Sequence, residues 1–261
     1  MTERAQPPCE FPAGYDGTAV IARLAQVLDP ELDESVLDLG FIKSLRLVAG
    51  EAEVALQLPT SWCAVNFAYL MADDVRRALL AVPGVRRVTV SLGDHCAAAE
   101  IEAAVNAGRP FAEAFPAEAA GGLAALRLTF LRKGFLVRQQ RLLQELRAAG
   151  CDAATICALR LDEVRVADEA IMIGDKSRLG GAAVLRRYLE RRAELGLDCR
   201  PTAPLVVDID GTPFTPERFA AHYENARTVR IALEANGSFC RALMTLRRLD
   251  GFEKGGGHVP A

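Results

Sequence analysis

The groups in this chain best suited to chemistry are a few thiols and one imidazole. Cys63 comes first. It follows an alternating run over 51–58 and the stop Pro59-Thr60-Ser61, and it precedes an apolar stripe of Val65, Ala68, Ala72, Val75 and Leu79. That pattern puts it in the first turn of a helix just past a strand end, with Thr60 or Ser61 as the cap. Free backbone N–H groups and the positive helix end favour a thiolate of lowered pKa there, partly exposed, and a thiolate binds soft metals or attacks electrophiles. The plainer alternative is a small buried hydrophobe, the usual state of a free cysteine. The adjacent His95 and Cys96 offer two donor types for zinc or iron, though two ligands do not close a site. Cys240 falls near the start of the last expected helix. Strand and helix ends at one sheet edge can converge, so Cys63, His95, Cys96 and Cys240 are the candidate metal ligands. A nucleophilic enzyme would need His95 or His222 as its base. Neither has a spacing that recommends it, so no residue is assigned a catalytic role and an enzyme is the weakest reading.

The elements that must position these groups follow from periodicity. A helix over 18–28 carries Val20, Ile21, Leu24, Val27 and Leu28 on one face and stops at Asp29-Pro30-Glu31. An acidic, turn-like stretch follows to Gly40. Strands are expected at 42–48 and 51–58 with a tight connection at Ala49-Gly50, then the Cys63 helix to Pro83-Gly84, then a strand at 87–92. The order is helix, strand, strand, helix, strand. A helix over 97–106, capped by Gly93 or Asp94, comes next, with phenylalanines near 111–115 expected to clamp two halves together. Beyond Leu123 the pattern is helical: 123–131, 135–149 (with an Arg141–Glu145 pair), 182–195, 216–235 after the cap Thr215, a break at Asn236-Gly237, and 238–249. The fold class is therefore α+β. Residues 1–14 form a flexible arm, 15–93 an αββαβ domain, 94–250 a helix-rich companion with a small hairpin near 205–214, and 251–261 a flexible tail.

Composition bounds the rest. The chain has 261 residues, 51% hydrophobic and 25% charged, as in ordinary globular proteins. A formal net charge of −3 exerts no overall pull toward nucleic acid or anionic membranes. No stretch reads as a signal peptide or a membrane span. Seven scattered cysteines fit a reducing, cytoplasmic setting better than a disulfide framework.

Four motifs then carry a resemblance: Leu28-Asp29-Pro30-Glu31, Val36-Leu37-Asp38-Leu39-Gly40-Phe41-Ile42, Leu58-Pro59-Thr60-Ser61-Trp62-Cys63, and Val82-Pro83-Gly84-Val85. In this order they resemble the MIP18 (DUF59) family over about residues 16–92. The resemblance implies the αββαβ fold, iron–sulfur cluster assembly or target maturation, and cofactor-binding positions at Asp29, Glu31, Thr60 and Cys63. The family usually has proline after its cysteine, and Ala64 stands there instead. More faintly, Asp94-His95, 188–192, Ala226-Arg227 and 236–241 resemble extensions on proteins that accompany soluble di-iron monooxygenases.

Two other motifs fail. Gly174-Asp175-Lys176-Ser177 ends like a phosphate loop, but Glu169 stands where the loop's first glycine is required. Residues 205–212 look like the opening of a haloacid-dehalogenase-type phosphatase with too little chain after them, and a hairpin turn explains them better. The expected function is a metallochaperone that binds or delivers iron or an iron–sulfur cluster, with zinc as the alternative metal. Its partners would be a client metalloenzyme such as a di-iron monooxygenase hydroxylase, other cluster-assembly proteins, or a second copy as a homodimer. The alternative function is a metal-free adaptor or scaffold for an oxygenase complex.

Overall fold

The computed structural model describes residues 9–11, 16–119 and 122–255. The arm expected over 1–14 and residues 256–261 of the tail lie mostly outside them; residues 251–255 are helical. Helices and strands mix in an α+β chain whose compact units are 1–126 together with 235–261, and 127–234.

The first unit begins with β1 (Cys9–Glu10), α1 (Gly17–Leu24), β2 (Leu28–Asp29), β3 (Glu34–Ser35), β4 (Ile42–Val48) and β5 (Glu51–Leu56). It continues with α2 (Val65–Leu80), β6 (Arg87–Leu92), α3 (Ala98–Asn106) and α4 (Phe111–Ala114). The main sheet has the order β1-β4-β5-β6, with β4 antiparallel to β5 and β5 parallel to β6. Period-2 alternation buries Ala52, Val54 and Leu56 from β5 and Val88, Val90 and Leu92 from β6. The β4–β5 turn holds Ala49 at φ 50° and Gly50 at φ 85°, the left-handed pair that suits a two-residue hairpin. A Cβ at Gly50 would fall 2.8 Å from the Gly84 carbonyl oxygen, so glycine is demanded twice over. Two parallel neighbours need a crossover, and α2 provides it by burying Ala68, Met71, Ala72, Val75 and Leu79.

The first helix ends four residues earlier than its periodicity suggests, because Leu28-Asp29 pairs antiparallel with Glu34-Ser35. Helix α3, expected in a companion domain, packs against α2 and β6. There it closes the free edge of the sheet. The Val90 N–H donates to Asn106 Oδ1 at 2.8 Å, Asn106 Nδ2 donates back to the Val90 carbonyl at 2.9 Å, and the Leu92 N–H donates to Glu102 Oε1 at 2.6 Å. Side chains thus replace a missing strand. Phe111 and Phe115 stack on each other and meet Tyr69 edge-on inside this same core.

The second unit is built on α5 (Leu123–Ala148), whose later turns bury Phe135, Leu142, Leu143 and Leu146. The helix is continuous where two were expected. After it come α6 (Ala153–Ala158), β7 (Arg165–Ala167), β8 (Ala170–Ile173), β9 (Lys176–Leu179), α7 (Gly181–Glu194) and α8 (Pro216–Gly255). The antiparallel sheet β7-β8-β9 departs from the helical pattern expected there, and Gly174-Asp175, which fail as a phosphate loop, form its second turn. Arg141 pairs with Glu234, and Glu145 with Arg178, in place of the expected pairing with each other. Buried Arg192 donates to the carbonyls of Asp198, Pro204 and Leu205 at 2.8–2.9 Å, fixing an irregular stretch that leads to a turn closed by Asp208 N–H to Thr212 at 2.8 Å.

Helix α8 runs through Asn236-Gly237 without a break. Gly237 is buried, and a Cβ there would lie 3.0 Å from Glu34 Oε1, so glycine serves close packing and does not end the helix.

Replacing Asn106 with alanine leaves both polar groups of Val90 without their side-chain partner. We expect a loss of about 1–3 kcal/mol in urea unfolding. An unchanged midpoint would show that water substitutes freely at that edge.

Candidate functional site

Parallel pairing in register from Glu51↔Arg87 to Leu56↔Leu92 brings the C-terminal ends of β5 and β6 to one edge. The segments leaving those ends, 57–64 and 93–97, are then tied together by hydrogen bonds. The Gly93 N–H donates to the Leu56 carbonyl at 2.8 Å, and the Cys96 N–H donates to the Ser61 carbonyl at 2.7 Å. The His95 ring closes the seam. Its Nδ1 accepts the Ala97 N–H at 3.1 Å, so Nε2 carries the proton and donates it to the Cys63 carbonyl at 2.7 Å. His95 therefore reaches Cys63 through the backbone and not through sulfur, and both ring nitrogens are engaged. The Cys96 thiol is exposed.

Cys63 lies just outside the helix. The N-cap of α2 is Ala64, without a side-chain capping bond, so neither Thr60 nor Ser61 performs that role. The cap of α3 is likewise Ala97, not Gly93 or Asp94. Cys63 is half-buried against the first core. Burial above all, then the nearby charges of Asp29, Cys240 and Glu31, push its thiol up to about 12, although a hydrogen bond from the Ala64 N–H opposes this. The expectation of a thiolate of lowered pKa is overturned: the helix end is too weak against burial among acids.

Asp29 sits at the end of β2, 7% exposed. Its Oδ1 accepts the N–H groups of Glu31 at 2.8 Å and Leu32 at 2.9 Å, an Asx turn that shapes the acidic loop. Burial raises its carboxyl to about 6 against those two hydrogen bonds, with Glu31 and Glu34 pushing the same way. Cys240, in mid-helix and not near a helix start, is half-buried on the same core; burial and then Asp29 and Glu31 raise its thiol. The structure thus brings Cys63, Cys240, Asp29 and Glu31 within electrostatic reach of one another. Thr60 is half-buried at the start of the loop, while Trp62 projects with 75% of its surface exposed. Among the described residues no group of three or more His, Cys, Asp or Glu side chains is arranged to hold a metal ion.

Sequence reasoning missed two ion pairs beside the site, Arg241–Glu34 and Arg247–Asp94. Each joins residues more than 150 positions apart, and no local pattern signals them.

Comparison with known proteins finds a likeness over the stretch that carries Cys63. Residues 18–92 match the family model described as "Iron-sulfur cluster assembly protein". An iron–sulfur cluster carrier protein from Deinococcus radiodurans is 39% identical over 75 residues, 29% of this chain and 21% of that protein. The chain thus spans about a fifth of the length of the curated relative it matches.

Two outcomes follow from the charges. Asp29 has a native pKa above its unfolded value, so the native state binds the extra proton between about 4 and 6 and gains stability as pH falls through that window. Asp29→Asn, which keeps the accepting oxygen, should therefore stabilise the protein by about 1–3 kcal/mol above pH 6. That advantage should vanish below pH 4; equal urea midpoints for both proteins at pH 8 would contradict it. Cys63 should alkylate slowly up to pH 9 in the native protein, and Asp29→Asn should speed it by removing an opposing charge. Rapid native labelling at pH 7 would show the thiol to be acidic after all.

Proposed function

We propose that this chain is an assembly or carrier factor that holds iron or an iron–sulfur cluster transiently at Cys63 and passes it to a client metalloenzyme. The observation that carries this reading is the position of Cys63. It stands in the loop between β5 and α2, inside the stretch that matches the cluster-assembly family, with a second thiol, Cys240, and the acids Asp29 and Glu31 near it. Thiolates and carboxylates together suit iron, and the surrounding negative charge favours an arriving cation. The cargo's own charge must drive the proton off Cys63, so binding strengthens as pH rises. Two protein thiols leave coordination positions for a donor's or recipient's ligands, as a transient holder needs. The client in this reading is a di-iron monooxygenase hydroxylase, the partner suggested by the sequence of the second half. A cytoplasmic setting fits free thiols, and no helix among the described residues is long and apolar enough to cross a membrane.

A metal-free adaptor is the second reading. It draws on the engaged ring of His95 and on the lack of a three-residue donor group among the described residues.

Anaerobic reconstitution with ferrous iron and sulfide separates the two. Wild type should retain iron through desalting, and Cys63→Ser and Cys240→Ser should each retain it on the order of tenfold more weakly. Wild type that retains none, or a Cys63→Ser variant that equals it, would leave the adaptor. Zinc in excess should compete for the same donors.

A further inference from the structure

One face of α8 packs on the first core, between Glu34 and Asp94. Gly237 packs against Glu34, and Arg241 pairs with that same carboxylate. Cys240 packs half-buried on the same core as Cys63, Met244 is buried in that core, and Arg247 donates to Asp94 Oδ1 at 2.7 Å, next to the His95 whose ring holds the Cys63 carbonyl. Positions 237, 240, 241, 244 and 247 recur at helical spacing, so a single stripe spans from β3 to the segment after β6. We propose that residues 235–247 are a releasable cover, and that cargo reaches Cys63 when this stretch lifts. The proposal concerns regulation of the site described above and rests on that reading.

The fastening is light. Both ion pairs are partly solvated, with side-chain exposures of 42% and 29% for Arg241–Glu34 and 20% and 62% for Arg247–Asp94, and such pairs contribute little individually. Met244 is the fully buried apolar anchor of the stripe, while Phe239 and Leu246 stay exposed on its other side. The cover begins at Asn236-Gly237, poor helix formers where a helix unwinds most readily. Arg241 also supplies a positive charge among the acids that would otherwise attract a metal cation, so cation entry and Arg241 departure favour each other.

The test labels thiols with N-ethylmaleimide at fixed pH and reads each cysteine by mass spectrometry, using exposed Cys199 as reference. In Arg241→Gln/Arg247→Gln, Cys63 labelling relative to Cys199 should rise about fivefold, with faster hydrogen exchange over 235–247. Added salt should produce the same rise in wild type, which keeps the test available should the double variant fail to fold. Gly237→Leu, wedged against Glu34, should act in the same direction. Unchanged Cys63 labelling, whether or not exchange over 235–247 quickens, overturns the cover. Iron uptake separates this from the cargo reading: faster labelling with no iron bound by either protein upholds the cover and sinks the cargo. Uptake as fast in wild type as in the double variant overturns the cover.

Discussion

Everything at the candidate site depends on the parallel pairing of β5 with β6. An antiparallel partner could have been reached through a two-residue turn and would have delivered its far end to the opposite edge. The parallel one requires the α2 crossover and brings both strand exits together. Cys63 and His95 are neighbours for that reason, although 32 positions separate them. The helix stripe that buries the crossover is thus what determines which loops can meet.

Within that frame, burial and charge set the character of the thiol. A helix N-terminus would have favoured the anion, and one amide, that of Ala64, does reach Cys63. Against it stand partial removal from water, the acids Asp29 and Glu31, and the second thiol of Cys240. Low polarity magnifies each of those repulsions, so the neutral thiol prevails. Protonated thiols beside carboxylates have little reactivity toward electrophiles, while the carboxylates retain their attraction for cations.

Alternation and helical stripes made β4, β5, β6 and α2 legible in the sequence, and Ala49-Gly50 announced its hairpin. These features are local, and each residue reports its own environment. The unbroken course of α8 was not legible, because Gly237 answers to Glu34 about 200 positions away. The sheet β7-β8-β9 hid behind short strands in which Ile171 and Ile173 supply the buried side chains. Arg141 and Glu145 had the right spacing for each other and found partners elsewhere. The site shows the same division. Topology made the approach of His95 to Cys63 foreseeable, but only tertiary packing decides that the ring meets a carbonyl and that Cys240 arrives from the far end of the chain.

The sealing of β6 by Asn106 and Glu102 bears on what could be moved between proteins as a module. The recognisable stretch ends at Leu92, yet its sheet edge is finished from α3 and its thiol loop is fastened by His95 and Cys96. A transplant of the recognisable part alone would carry the donors and leave the fastenings behind. The first unit is also discontinuous: the chain leaves it after residue 126 and rejoins it at 235. A fragment that stops before residue 235 would therefore lack the segment of the first unit that carries Cys240.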